Sequence, residues 1–106
     1  MSRRHSHDTI FKALADEKRR RLLDLLKDGP RTTGDLCDRF GGVDRCTVMQ
    51  HLKVLENAGL IFVRREGKFR WNYLDAVPIR EIYERWINQY ASSSAGMLKA
   101  LADGLS

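Results

Sequence analysis

One change in hydrophobic period constrains this chain more than any other feature. Between Thr32 and Ala58 the apolar residues recur at helical spacing, and after Gly59 they do not. Leu36 and Phe40 sit four apart in a first short segment that Thr32 and Thr33 can cap and Gly41-Gly42 breaks. Val48, Leu52 and Leu55 then follow at steps of four and three, in a segment (44–58) that Asp44 can cap and Gly59 can close. Two short helices joined by a tight glycine turn make a helix-turn-helix. Leu60 to Arg65 reads as a strand, Glu66-Gly67-Lys68 as a turn, and Phe69 to Leu74 as a returning strand that alternates bulky apolar and polar residues. A lone hairpin is not stable in water. The hairpin at 60–74 must therefore lie against the helices, as a wing.

The flanks add helices. Residues 1–7 read as a flexible polar arm. A first helix is expected from Asp8, with Ile10, Phe11 and Leu14 as its stripe. A second is expected from Asp16 to Lys27, with Leu22, Leu23, Leu25 and Leu26 inward and Lys18, Arg19, Arg20 and Arg21 outward. Asp28-Gly29-Pro30 stops it. Pro78 suits the first turn of a last helical segment, 78–105, in which Ile79, Tyr83, Trp86 and Tyr90 recur at steps of four, three and four. Ile82 and Ile87 widen that stripe. Met97, Leu98, Leu101 and Leu105 resume it beyond Ser92-Ser93-Ser94. As one helix the stretch from Ile79 to Leu105 would rise roughly 39 Å at 1.5 Å per residue; the serines and Gly96 could instead divide it in two. Either way the stripe exceeds what so small a domain can cover. A homodimer interface of Ile10, Phe11, Tyr83, Trp86, Tyr90, Met97 and Leu101 is expected in preference to a ligand pocket. The fold class is thus mainly α with a two-stranded β-wing: one winged helix-turn-helix domain over 1–106, acting as a dimer.

Lys and Arg number 19 against 14 Asp and Glu, a net charge of +5. That surplus favours a polyanionic partner. No stretch approaches the roughly 20 apolar residues that span a bilayer, and no apolar run follows Arg3-Arg4 as a signal peptide requires. The expected setting is the cytoplasm, away from membranes. There is no glycine-rich phosphate loop and no nucleophile–base motif, so neither an enzyme nor a cofactor is expected.

The helix at 44–58 is the expected recognition helix. Its inward stripe leaves Arg45, Cys46, Met49, Gln50 and Lys53 outward, with Thr47 near its start. Arginine reads guanine, glutamine reads adenine, and methyl-bearing side chains touch thymine methyls. Arg45 and Gln50 are the expected base readers, Lys53 and Thr47 the phosphate contacts. His51, beside the stripe, is either a phosphate donor or a satisfied boundary residue. Arg64, Arg65, Lys68 and Arg70 crowd the wing, where they suit a phosphate backbone or minor groove. The expected partner is double-stranded DNA. A protein-interaction module is the rival that this paired basic surface argues against.

A metal- or thiol-responsive sensor is a further alternative. His5 and His7 form an isolated pair, short of the three or four ligands zinc requires. Cys37 and Cys46 lie nine apart, unlike a metal or redox pair, and in a reducing compartment they read as free thiols. Arg39 and Arg45 nearby could lower a thiol's pKa and make a redox switch. No metal site is expected.

Phe11-Lys12-Ala13-Leu14-Ala15-Asp16 with Arg19-Arg20-Arg21-Leu22-Leu23, then Thr47-Val48-Met49-Gln50-His51-Leu52-Lys53-Val54-Leu55, then Ala58-Gly59-Leu60 through Arg64-Arg65-Glu66-Gly67-Lys68, in that order, strongly resemble the ArsR family of bacterial repressors. The resemblance, with the last helix, spans nearly the whole chain. It implies a winged-helix dimer that represses by occupying operator DNA and releases it on a signal. The family's metal box carries Cys-x-Cys on the third helix. Here the matching stretch is Asp35-Leu36-Cys37-Asp38-Arg39, with arginine at the second position. The resemblance is therefore to members without a recognised metal site. The inducer, metal or small molecule, is unknown.

Overall fold

The computed structural model describes residues 6–105, the side chains of 92–95 and 105 excepted. His5 and the rest of the expected arm before Ser6 lie outside the described residues. Helix α1 (His7–Leu14) is capped by Ser6, not Asp8: the Ser6 Oγ accepts the Thr9 N–H at 3.1 Å. Asp8 sits inside the first turn, where a carboxylate suits the positive end of the helix.

Helix α2 (Glu17–Leu26) starts as expected, with Asp16 accepting the Lys18 N–H at 2.8 Å. Leu22, Leu23 and Leu26 are buried, but the arginines beside them are not all outward. Arg19 is half-buried and donates to the carbonyls of Ala13 (2.6 Å) and Lys12 (3.0 Å), while Arg20 donates to that of Leu14 (2.7 Å). The last carbonyls of a helix lack intrahelical partners and carry the negative end of its dipole. Two side chains of α2 thus close α1, and these charge-assisted bonds draw Arg19 off the solvated face where the sequence places it.

Strand β1 (Arg31–Thr32) follows, and it was not expected. It pairs with β3 (Phe69–Leu74), and β3 with β2 (Ile61–Glu66), in a three-stranded antiparallel sheet of order β1-β3-β2. The wing is thereby stitched to the start of helix α3 (Thr33–Arg39), capped by Thr32, whose Oγ1 accepts the Asp35 N–H at 3.1 Å. Helix α4 (Arg45–Asn57) is capped by Asp44, which accepts the Thr47 N–H at 2.8 Å. It ends at Gly59, φ 78°, with Gly59 N–H to Glu56 O and Leu60 N–H to Leu55 O both at 3.0 Å. This paired closure is the left-handed stop that glycine permits. Gly67, φ 59°, turns the wing.

The alternation expected on β3 is inverted at two positions. Asn72 is wholly buried and Phe69 is half exposed. The Asn72 Nδ2 donates to Arg31 O at 3.2 Å and to Thr33 Oγ1 at 3.0 Å, so β1 and the start of α3 replace water for its N–H groups, while its Oδ1 is buried with no hydrogen-bond partner among the described residues.

Helix α5 (Val77–Ile82), with Pro78 in its first turn, passes through a π-helical turn (Tyr83–Ile87) into α6 (Asn88–Leu105). The backbone stays helical through Ser92–Gly96, so the division into two helices does not occur there. One core joins Leu22, Leu36, Phe40, Val48, Leu55, Leu60 and Ile82. Ile10 belongs to it and is only 1% exposed. Its expected place on a dimer interface is therefore corrected: its own chain already buries it. Among the described residues no helix is long and apolar enough to cross a membrane.

Candidate nucleic-acid interface

Helix α4 turns Val48, Leu52 and Leu55 into the core, and the helical period fixes what remains outside. Arg45, Cys46, Met49, Gln50 and Lys53 are exposed along one face. Thr47 is half-buried and serves the cap: its N–H and hydroxyl both donate to the Asp44 carboxylate, at 2.8 and 3.0 Å. Those bonds hold Asp44 below the usual carboxylate range. His51 is half-buried, its Nδ1 3.2 Å from Arg19 Nη1, so it meets α2 at the point where Arg19 closes α1.

On the wing, Arg64, Arg65 and Lys68 are exposed. Arg65 and Arg70 stand directly opposite each other across β2 and β3. Like charges paired this way oppose folding, so the sheet's own stability does not account for them. Arg45 and Met49 of α4, Thr32 to Gly34 at the start of α3, and Arg65, Lys68, Phe69 and Arg70 of the wing line a cleft of about 410 Å³. A second hollow of about 270 Å³ continues along α4 past Met49, Gln50 and Lys53 and shares Thr33 and Arg70 with the first. The fold thus gathers the expected base readers and most of the wing cations around one continuous groove. Sequence reasoning missed a carboxylate beside it, against two of its lining cations. Glu56 lies 3.5 Å from Arg70 and 3.7 Å from Lys53. The Arg70 contact spans fourteen residues, which no helical or hairpin spacing signals.

The cysteines sit differently. Cys37 is half-buried on α3, and burial pushes its thiol above the ordinary range; Arg45 pulls the other way and is outweighed. Arg39 is held by Asp35 at 3.0 Å. The alternative in which these arginines activate a thiol does not hold for Cys37. Cys46 is exposed on α4. Among the described residues no cluster of three or more His, Cys, Asp or Glu could hold a metal ion. Away from the groove, Trp86 packs edge-on against Phe11 (5.6 Å) and Tyr90 (5.1 Å). Tyr83, Trp86, Tyr90, Met97, Leu98 and Leu101 are each about half exposed or more.

Residues 14–64 match a family described as a helix-turn-helix domain. The chain is 32% identical over 81 residues to the transcriptional repressor SdpR of Bacillus subtilis, covering 76% of this chain and 89% of SdpR. It is 43% identical over 75 residues to the HTH-type transcriptional regulator Rv2034 of Mycobacterium tuberculosis, covering 71% of this chain and 69% of that protein. Among solved structures it resembles an ArsR family transcriptional regulator with a TM-score of 0.72 and 30% identity, over 83% of this chain and 94% of the other. With a winged helix whose outward helix and wing share one basic groove, the chain belongs to the ArsR family of winged helix-turn-helix regulators and is a DNA-binding transcriptional regulator.

Proposed function

We propose that the protein is a repressor that works in the cytoplasm as a homodimer on a near-palindromic operator. The observation that carries this reading is the groove, in which Arg45 and Gln50 on α4 lie beside Arg65, Lys68 and Arg70 on the wing. A major groove admits one α-helix. With α4 seated there, Arg45 and Gln50 meet base edges, and Lys53 with the wing cations meets phosphates on either side. SdpR is named a transcriptional repressor, which supports the same role here. The exposed stripe of Tyr83, Trp86, Tyr90, Met97 and Leu101, with Phe11 against it, is the proposed dimer surface. A two-fold axis through it sets two copies of α4 about one DNA turn apart.

Fluorescence anisotropy with random duplex pools at two salt concentrations, followed by sequencing of the bound fraction, tests this. Recovery of a near-palindromic site bound far above bulk DNA is expected. Weak binding with a steep salt slope and no enriched site would reduce the groove to a nonspecific basic patch.

A further inference from the structure

Beside the basic groove, against two of its lining cations, lies a carboxylate that the groove's proposed role does not use. Glu56, in the last turn of α4, is half-buried against β3. Its Oε1 lies 3.5 Å from Arg70 Nη2 on the wing and 3.7 Å from Lys53 Nζ on its own helix. Both are cations that the DNA reading assigns to phosphates. Among the described residues, Arg45, Arg64, Arg65 and Lys68 have no carboxylate within 4.0 Å. The neighbouring acids are otherwise placed: Asp44 is bound into the cap of α4, and Glu66 is exposed beside the wing turn.

Folding does not account for a glutamate here. Its charge sits at the negative end of the α4 dipole. Lys53 precedes it, the reverse of the order that favours a helical pair. Partly exposed ion pairs contribute little stability. What Glu56 does is pair with two cations that line the groove.

We propose that Glu56 competes with DNA phosphates for Lys53 and Arg70, holding the face at a lower affinity for duplex of any sequence than its cations alone would give. This rests on α4 and the wing being the DNA face. With Glu56 ionised, the three groups together carry one net positive charge, and a phosphate approaching Arg70 meets a carboxylate already in place. Neutralising Glu56 leaves two positive charges, equivalent to about one more phosphate neutralised and its counterion released.

Anisotropy titration of a random-sequence duplex across a salt series tests this. The proteins compared are the unsubstituted chain, Glu56→Gln, and Asp24→Asn, which makes the same charge change on the outer side of α2. Lys53→Ala/Arg70→Ala is added, with and without Glu56→Gln. Glu56→Gln should bind about fivefold tighter at low salt, the scale of one unit-charge contact near 4 Å in water. Its salt slope should steepen by about 0.9. The gain should exceed that of Asp24→Asn and vanish in the Lys53→Ala/Arg70→Ala background. Glutamine is isosteric and relieves the clash with the dipole, so the melting temperature should not fall. Unchanged or weaker binding by Glu56→Gln, an equal gain from Asp24→Asn, or a gain that survives loss of both cations would overturn the proposal alone. Failure of the unsubstituted protein to bind any duplex would overturn the DNA reading and the proposal together.

Discussion

Arg45 stands exposed in the first turn of α4, free of any carboxylate partner among the described residues, at the mouth of the groove. Lys68 is equally free but sits on the wing turn. The two positions predict different losses. Arg45→Ala should cost about 1–3 kcal/mol on the cognate site and relax selectivity at one base position. Normal cognate affinity in an anisotropy titration would take Arg45 off the reading face. Lys68→Ala should weaken binding to every sequence alike and lower the salt slope by about 0.9; a loss confined to the operator would make Lys68 a base reader instead. The identity and outward position of both residues were legible, because apolar spacing on α4 and turn chemistry on the wing are local. The engagements of Arg19 and Glu56 were not, since each depends on which helix end or strand the fold brings alongside.

The elements rest on their caps, of which Asp16 on α2 and Asp44 on α4 are carboxylates, and Asp35 in the first turn of α3 is a third acid held low. Backbone N–H groups at the start of α2 hold Asp16 low, Arg39 and then Arg31 hold Asp35 low, and Thr47 holds Asp44 low. Each is easier to ionise folded than unfolded, where a free aspartate titrates near 3.9. Their contribution is therefore fully present above about pH 4 and is lost as pH falls through the lower folded values. Thermal melts should hold level from neutral pH to about 5 and fall below about 4. In Asp44→Asn, which keeps a capping side chain but no charge, the drop should be shallower; an identical acid limb would remove Asp44 from the account. The same caps explain what could be read in advance. Asp16, Thr32, Asp44, Gly59 and Gly67 mark boundaries through chemistry within a few residues of themselves. Strand β1, two residues long, shows no periodicity and exists only because β3 offers it an edge. Asn72 defeated the alternation of β3 because its partners, Arg31 and Thr33, lie some forty residues away in the chain.

The whole molecule measures 62 × 39 × 21 Å, its length out of proportion to the core it encloses. The aromatic stripe on the C-terminal helices is what that core leaves uncovered. Trp86, at its centre between Phe11 and Tyr90, should anchor a dimer. Trp86→Ala should raise the dimer dissociation constant by at least tenfold, since buried interface tryptophans commonly cost 2 kcal/mol or more on truncation. Sedimentation velocity over a concentration series would show it, and an unmoved constant would place the contact elsewhere. The π-helical turn at Tyr83–Ile87 governs where that stripe points. A π turn holds about one residue more than an α turn, and one residue is about 100° of helical rotation. Ile79 and Ile82, ahead of the turn, are committed to the protomer's own interior; the residues behind it are aimed along a different bearing. The turn therefore works as an angular offset in a single rod. Removing one residue from it would keep the sequence of the stripe beyond the turn but swing the distal half by a little over a quarter of a circle, so that the two parts of the proposed dimer surface would no longer face the same way.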